Sequence, residues 1–367
     1  MTDFAMTVGG AAAAGTGTFD VVDPATGEVF ARAPDCGADR LDQAMAAARA
    51  AFPAWRRDER HRRDLLREAA GALEAAAGRL APILTAEQGK PLKDARREVA
   101  TAVTWLRYYA DLDLPREVSQ DGSAEVIRRP LGVVAAITPW NFPIALAMWK
   151  IAPALRAGNT MVLKPSPYTP LTTLAMGEML ARILPPGVLN VISGRDPLDA
   201  LMTAHPVPRK ISFTGSTATG KRVAGLVGDA LEHGAVAAAG GRPIDRPGYF
   251  YQPTVLSGAT DGTRIVDEEQ FGPALPVIAC RDLGRAVERA NGTAYGLTAS
   301  VWSPDLDRAA RVAAELDCGQ VSINGHGRGV RPDLPFGGHK WSGLGVENGP
   351  WGLYGYTELQ VLVGNQS

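Results

Sequence analysis

LGVVAAITPWNFPIALAMWKIAPALRAGNTMVLKPS, residues 131–166, is the stretch that decides the fold. Its apolar run, 132–137, has the length of a buried strand. Pro139 and Pro143 then break it. Each proline fixes φ and removes an amide donor, so 138–143 reads as a rigid corner. Asn141 is held in that corner, where its side-chain NH2 can point at a ligand. A helix is expected over 144–155, stopped by Gly158-Asn159. A second short strand, 160–163, delivers Lys164 at its carboxyl end. Strand, helix, strand is a βαβ unit, and ligands of such sheets sit at the carboxyl ends of the strands. Asn141 and Lys164 both fall at such ends.

Downstream, the pattern predicts a helix over 169–183, a strand over 188–192, a short helix over 198–204 and a strand over 209–213. This βα repeat implies a parallel, doubly wound sheet. Thr214-Gly215-Ser216 then leads into a helix from about residue 217. Gly215 permits close backbone approach, and a helix N-terminus favours an anion; taken alone, the tripeptide reads equally as an ordinary N-cap. Upstream, 21–29 reads as strand, turn, strand, and 41–52, 60–80 and 94–109 as helices, with Leu65, Leu66, Ala69, Leu73 and Leu80 on one face. Arg56, Arg57, Arg60, Arg62 and Arg63 form a basic run. Interleaved Asp58, Glu59, Asp64 and Glu68 make it a solvated helix face rather than a phosphate site.

TPWNFP at 138–143, LKPSPYTP at 163–170 and SFTGSTATGK at 212–221, in this order, resemble the aldehyde dehydrogenase superfamily. EQGKP at 87–91, EQFGP at 269–273, VSIN at 321–324, PFGG at 335–338, SGLG at 342–345 and YTE at 356–358 extend the resemblance over most of the chain. It implies an α/β fold: a Rossmann-like parallel-sheet cofactor domain with the N-terminal helices over 1–225, a truncated α/β catalytic domain over 226–350, and a C-terminal oligomerisation strand over 351–367. It also implies NAD or NADP as cofactor. Asn141 would be the oxyanion donor. Trp140, Lys164, Ser166, Gly215, Ser216, Glu269 and Phe271 would bind the cofactor, with Lys164 and Ser166 near the adenosine ribose, Ser216 near the pyrophosphate and Glu269 at the nicotinamide ribose. The polar segment 115–130 would be the family's subunit-contact hairpin, although its residues alone fit a plain surface hairpin equally well. The terminal strand, 359–363, would reach a neighbouring subunit. NAD-preferring members carry Glu three residues after the Lys; Pro167 stands there, which leans slightly to NADP or dual use.

One part of the family pattern is absent. A Leu-Glu-Leu-Gly-Gly strand should follow the helix after FTGST and carry the general base. A Gly-Gln-x-Cys loop with the nucleophile should come later. Here Lys221-Arg222-Val223-Ala224-Gly225 runs straight into Leu226-Val227-Gly228-Asp229, which resembles a helix found well beyond the nucleophile. Roughly a hundred residues, a domain's worth, are missing. Aldehyde oxidation in this family needs a thiolate to attack the carbonyl and a base to activate water. The expected activity is therefore NAD(P)-dependent aldehyde oxidation in an impaired form, a pseudoenzyme. The alternatives are a non-catalytic dinucleotide-binding or regulatory paralogue, and a deleted gene product without function. The loss would also leave an open sheet edge that invites association, as a homo-oligomer or with a complete paralogue.

Composition bounds the rest. The 367 residues are 46% hydrophobic, enough for two cores. The net charge of −1 gives no electrostatic case for nucleic acid or an anionic membrane. Apolar runs stop well short of a membrane span. The N-terminal stretch has no basic n-region, so a secretory signal is not expected. The three cysteines, Cys36, Cys280 and Cys318, form no CxxC, which suits a cytoplasmic protein without disulfides or zinc. Cys280 and Cys318 are expected to be buried and structural. His326 and His339 are too isolated to propose a metal.

Overall fold

A computed structural model describes residues 4–215, 220–327 and 330–364. They fall in two compact units, one within Met1–Gly215 and Glu347–Ser367, the other within Ser216–Val346.

The first unit opens with strands β1 (Met6–Val8), β2 (Ala11–Ala13), β3 (Gly17–Asp23) and β4 (Glu28–Asp35). Helices α1 (Ala38–Trp55), α2 (Glu59–Ala75), α3 (Ala77–Gln88) and α4 (Leu92–Asp111) follow. The hairpin β5 (Glu117–Val118) and β6 (Ala124–Pro130) leads into β7 (Val133–Ile137), α5 (Pro143–Ala157) and β8 (Thr160–Lys164). Then come α6 (Leu171–Leu180), β9 (Leu189–Val191), α7 (Leu198–Ala204) and β10 (Lys210–Phe213). The sheet runs β10-β7-β8-β9-β1-β2, parallel from β10 to β9 and antiparallel through β1 and β2. Every residue of β7 and β8 is buried, as a parallel strand covered on both faces must be. Helix α5 buries all but Leu146. Gly158 ends it at φ 97°, a conformation glycine adopts without penalty. Asn159 then ties the helix end to two other segments. Its Oδ1 accepts from Gly132 N at 2.9 Å, and its Nδ2 donates to Tyr356 O at 2.9 Å.

Two expectations change here. The helix expected over 60–80 is two helices, α2 and α3, that meet at Ala76. Arg62 is not on a solvated face: it is buried and donates to Trp55 O at 3.0 Å and Arg156 O at 3.3 Å. Burial lowers its pKa to about 10. The terminal strand, Thr357–Val363, pairs antiparallel with β6 of its own chain over seven residues, from Thr357 opposite Pro130 to Val363 opposite Ala124.

The second unit starts with α8 (Gly220–Glu232), whose Val223, Leu226, Val227 and Ala230 meet Leu256, Ile265 and Ala274 in a small core. Gly272 lies so close to Val223 that a Cβ there would come within 2.4 Å of it. The unit holds a three-stranded sheet (Val236–Ala239, Thr254–Ser257, Ala274–Val277) that contributes to this core and, among the described residues, a separate two-stranded parallel pair (Thr298–Val301 with Gln320–Ile323). Helix Leu283–Asn291 buries no residue and Leu306–Glu315 only Ala309. Cys280 is exposed and Cys318 partly so, against the expectation of burial. Cys280 follows an edge strand: Ala274–Val277 pairs on one side only among the described residues, and its Leu275 and Val277 are exposed.

Candidate functional site

The strand register brings three loop starts side by side. Ile137 stands opposite Lys164 on one side and Phe213 on the other. The pairing runs one residue further, with Thr138 N donating to Lys164 O at 3.0 Å and Thr214 N to Ile137 O at 3.1 Å. The corner 138–142, the Pro165-Ser166 turn and Thr214-Gly215 therefore leave the carboxyl edge together. This is where an open α/β sheet holds its ligand.

Asn141 is positioned from below. Its main-chain oxygen accepts from Lys90 Nζ at 3.0 Å, and the same ammonium sits 4.3 Å from the centre of the Phe142 ring and pairs with buried Glu98. Glu98 Oε1 accepts from Ile144 N and Ala145 N at 3.0 and 3.2 Å. Phe142 offers no side-chain cap for α5, so Glu98 supplies one from α4. The Asn141 Oδ1 accepts from Phe142 N at 3.1 Å, which leaves Nδ2 as the outward donor. Glu87 does the same for α6: its carboxylate accepts from Leu171 N at 2.6 Å and Thr172 N at 3.0 Å.

Lys164 is 1% exposed, with Nζ 2.8 Å from Asp199 Oδ1 on α7. The pair buries that oxygen, while the Asp199 side chain as a whole is 35% exposed; Thr138 Oγ1 is buried without a hydrogen-bond partner among the described residues. Ser166 Oγ accepts from Tyr168 N at 3.3 Å. An ammonium, a carboxylate oxygen and hydroxyls on one strand-end rim suit a ribose and its neighbouring phosphate.

A second cluster was not legible in the sequence. Lys150, fully buried on α5, donates to Thr214 Oγ1 and Glu347 Oε1, both at 2.7 Å. Beside it, Lys210 has its pKa lowered by burial and by the Lys150 charge, and its Nζ lies 4.9 Å from the centre of the Tyr356 ring. The one available signal was a lysine inside an otherwise apolar helix face. Of the remaining expected residues, Trp140 is half-buried in the corner and Gly215 closes the first unit. Ser216 lies outside the described residues. Glu269 and Phe271 are in the second unit, both exposed, between helix Arg264–Asp267 and strand Ala274–Val277, with Phe271 at φ 45°. Among the described residues no group of three His, Cys, Asp or Glu could hold a metal, and no helix is long and apolar enough to cross a membrane.

The family model for the aldehyde dehydrogenase family matches residues 11–229 and 221–362. The 3-sulfolactaldehyde dehydrogenase of Pseudomonas putida is 31% identical over 454 positions, covering 94% of this chain and 93% of that protein. Since 94% of 367 residues is about 345, about 109 aligned positions of that relative stand opposite no residue here. The NADP(+) succinate-semialdehyde dehydrogenase GabD of Escherichia coli K12 is 31% identical over 453 positions, with 94% and 93% covered. The NAD+ complex structure of a Bacillus cereus aldehyde dehydrogenase superposes with a TM-score of 0.94 at 27% identity, covering 100% of this chain and 97% of that one.

Proposed function

The chain belongs to the aldehyde dehydrogenase family, with NAD or NADP as its cofactor, and on that premise we propose that it retains a dinucleotide site but does not turn over an aldehyde. The observation that carries this reading is α8. The two segments matched by the family model overlap at 221–229, and one unbroken helix, Gly220–Glu232, occupies that junction. The positions of the relative that face no residue here are of the number expected for the strand with the base and the loop with the thiol.

The remaining thiols do not replace the lost one. Cys36 is buried, its pKa pushed up to about 11 by desolvation. Its main chain bonds Ser193 at the end of β9, two strands from β7 and so about 10 Å away at the usual strand spacing. Burial also raises the Cys318 thiol, which donates to Gln320 O at 3.5 Å. Cys280 is exposed, with Arg289 Nη1 3.6 Å from its sulfur, and is the thiol to eliminate first in any assay. In the dinucleotide site, Lys164 and Ser166 bind the adenosine ribose and Thr214-Gly215 leads to the phosphates. Asn141 donates toward the reacting oxygen. The cofactor, when bound, supplies a hydride acceptor. A regulatory role beside a complete relative is the second reading, favoured by the exposed apolar strand Ala274–Val277.

Fluorescence titration with NADH tests the retained site. Lys164→Ala should weaken binding roughly tenfold or more, the loss of one charge-assisted hydrogen bond. Equal affinity in the variant, with an unchanged melt, would contradict the assignment.

A further inference from the structure

The sequence places no carboxylate three residues after Lys164, where Pro167 stands, and on that count a 2′-phosphate would meet no repulsion. The fold supplies a carboxylate from elsewhere. Asp199, on α7, reaches back to Lys164, and its Oδ1 lies 2.8 Å from Nζ. We propose that Asp199 sets the cofactor choice, accepting from the ribose 2′-hydroxyl and excluding a 2′-phosphate, so that the chain takes NAD in preference to NADP. This rests on the reading that the adenosine half binds at these strand ends.

Three features carry it. The lysine is fully buried and its ammonium is already paired with Asp199, so it does not present a free cation to a phosphate. The aspartate side chain is 35% exposed although its Oδ1 is buried against Lys164, so the exposure lies with its second oxygen, which is the one that can accept from a hydroxyl. The next cation along the rim, Arg195, follows the end of β9 and is already committed. Its Nη2 lies 3.1 Å from Asp35 Oδ2, and its guanidinium 5.8 Å from the centre of the Phe19 ring. Lys164 and Arg195 are thus each matched by a carboxylate. A 2′-phosphate, carrying about −1.5 to −2 charges, would approach two acids whose countercharges are spent. A 2′-hydroxyl has a proton to donate and suits the same oxygen.

The test is fluorescence titration of the full chain with NADH and with NADPH. The unmodified protein should bind NADH at least tenfold more tightly. Asp199→Asn should bring the ratio toward one, chiefly by tightening NADPH, and Asp199→Glu should retain the preference. If Asp199→Asn melts early, Asp199→Ser carries the same expectation. Equal or tighter binding of NADPH to the unmodified protein would overturn the assignment. So would an unchanged ratio in a folded Asp199→Asn variant. Binding of neither dinucleotide would overturn the strand-end site itself, and this assignment with it.

Discussion

Glu87 has lost nearly all contact with water, and burial raises its pKa from 4.5 to about 7 against the lowering effect of the Thr172 and Leu171 hydrogen bonds. Because the folded state holds this proton more tightly than the unfolded chain, the stabilisation is complete below about pH 4.5 and is lost as pH rises to about 7. Chemical denaturation across that window should show stability falling with pH, by at most ~3 kcal/mol from this group. Glu87→Gln should flatten that part of the profile, and an identical slope in the variant would refute the assignment. Residues of this kind divide sharply in legibility. The strand-end places of Asn141 and Lys164 could be read because prolines and strand ends mark them locally. Asp199, Thr214 and Glu347 could not, since each acts on a lysine from a distant part of the chain and no local pattern links them.

Among the elements, the βαβ unit is the most fully written in the sequence. Its strands are continuous apolar runs and its helix ends on glycine, so periodicity and punctuation agree. The junction between α2 and α3 was missed because Ala76 carries no breaker signal. Cys280 and Cys318 were read with a burial they do not have, because an apolar stretch of sequence states what could be covered and not whether a covering element exists. Asn159 gives the element-level test of how α5, β7 and the terminal segment are joined. Asn159→Ala leaves the buried Gly132 N–H and Tyr356 C=O without their partner, which should cost about 2–4 kcal/mol in urea unfolding. A loss below about 0.5 kcal/mol would show that the joint carries no stability.

For the whole molecule, the sheet of the first unit ends at β10, which pairs only with β7 among the described strands and leaves Phe213 59% exposed. The parallel pair Thr298–Val301 with Gln320–Ile323 in the second unit likewise has no further neighbour among the described strands, and two-stranded pairs are marginal in water. Unpaired edges of this kind favour association, so light scattering should report assemblies larger than a monomer, and a monodisperse monomer with one cooperative melt would contradict that. The family and fold were legible from short motifs. The proposed loss of turnover was legible only as chemistry, because it rests on two motifs that the sequence lacks, Leu-Glu-Leu-Gly-Gly and Gly-Gln-x-Cys. That chemistry sets the central claim. One oxyanion donor such as Asn141 contributes only about 10²–10³ in rate, whereas a nucleophile and base acting as a unit contribute on the order of 10⁶. The most direct measurement is NAD(P)H formation by purified protein, at dinucleotide concentrations shown to be bound, across aliphatic, aromatic and semialdehyde substrates. No formation above the protein-free background is predicted. Sustained formation that disappears in Cys280→Ser or Cys318→Ser would contradict it.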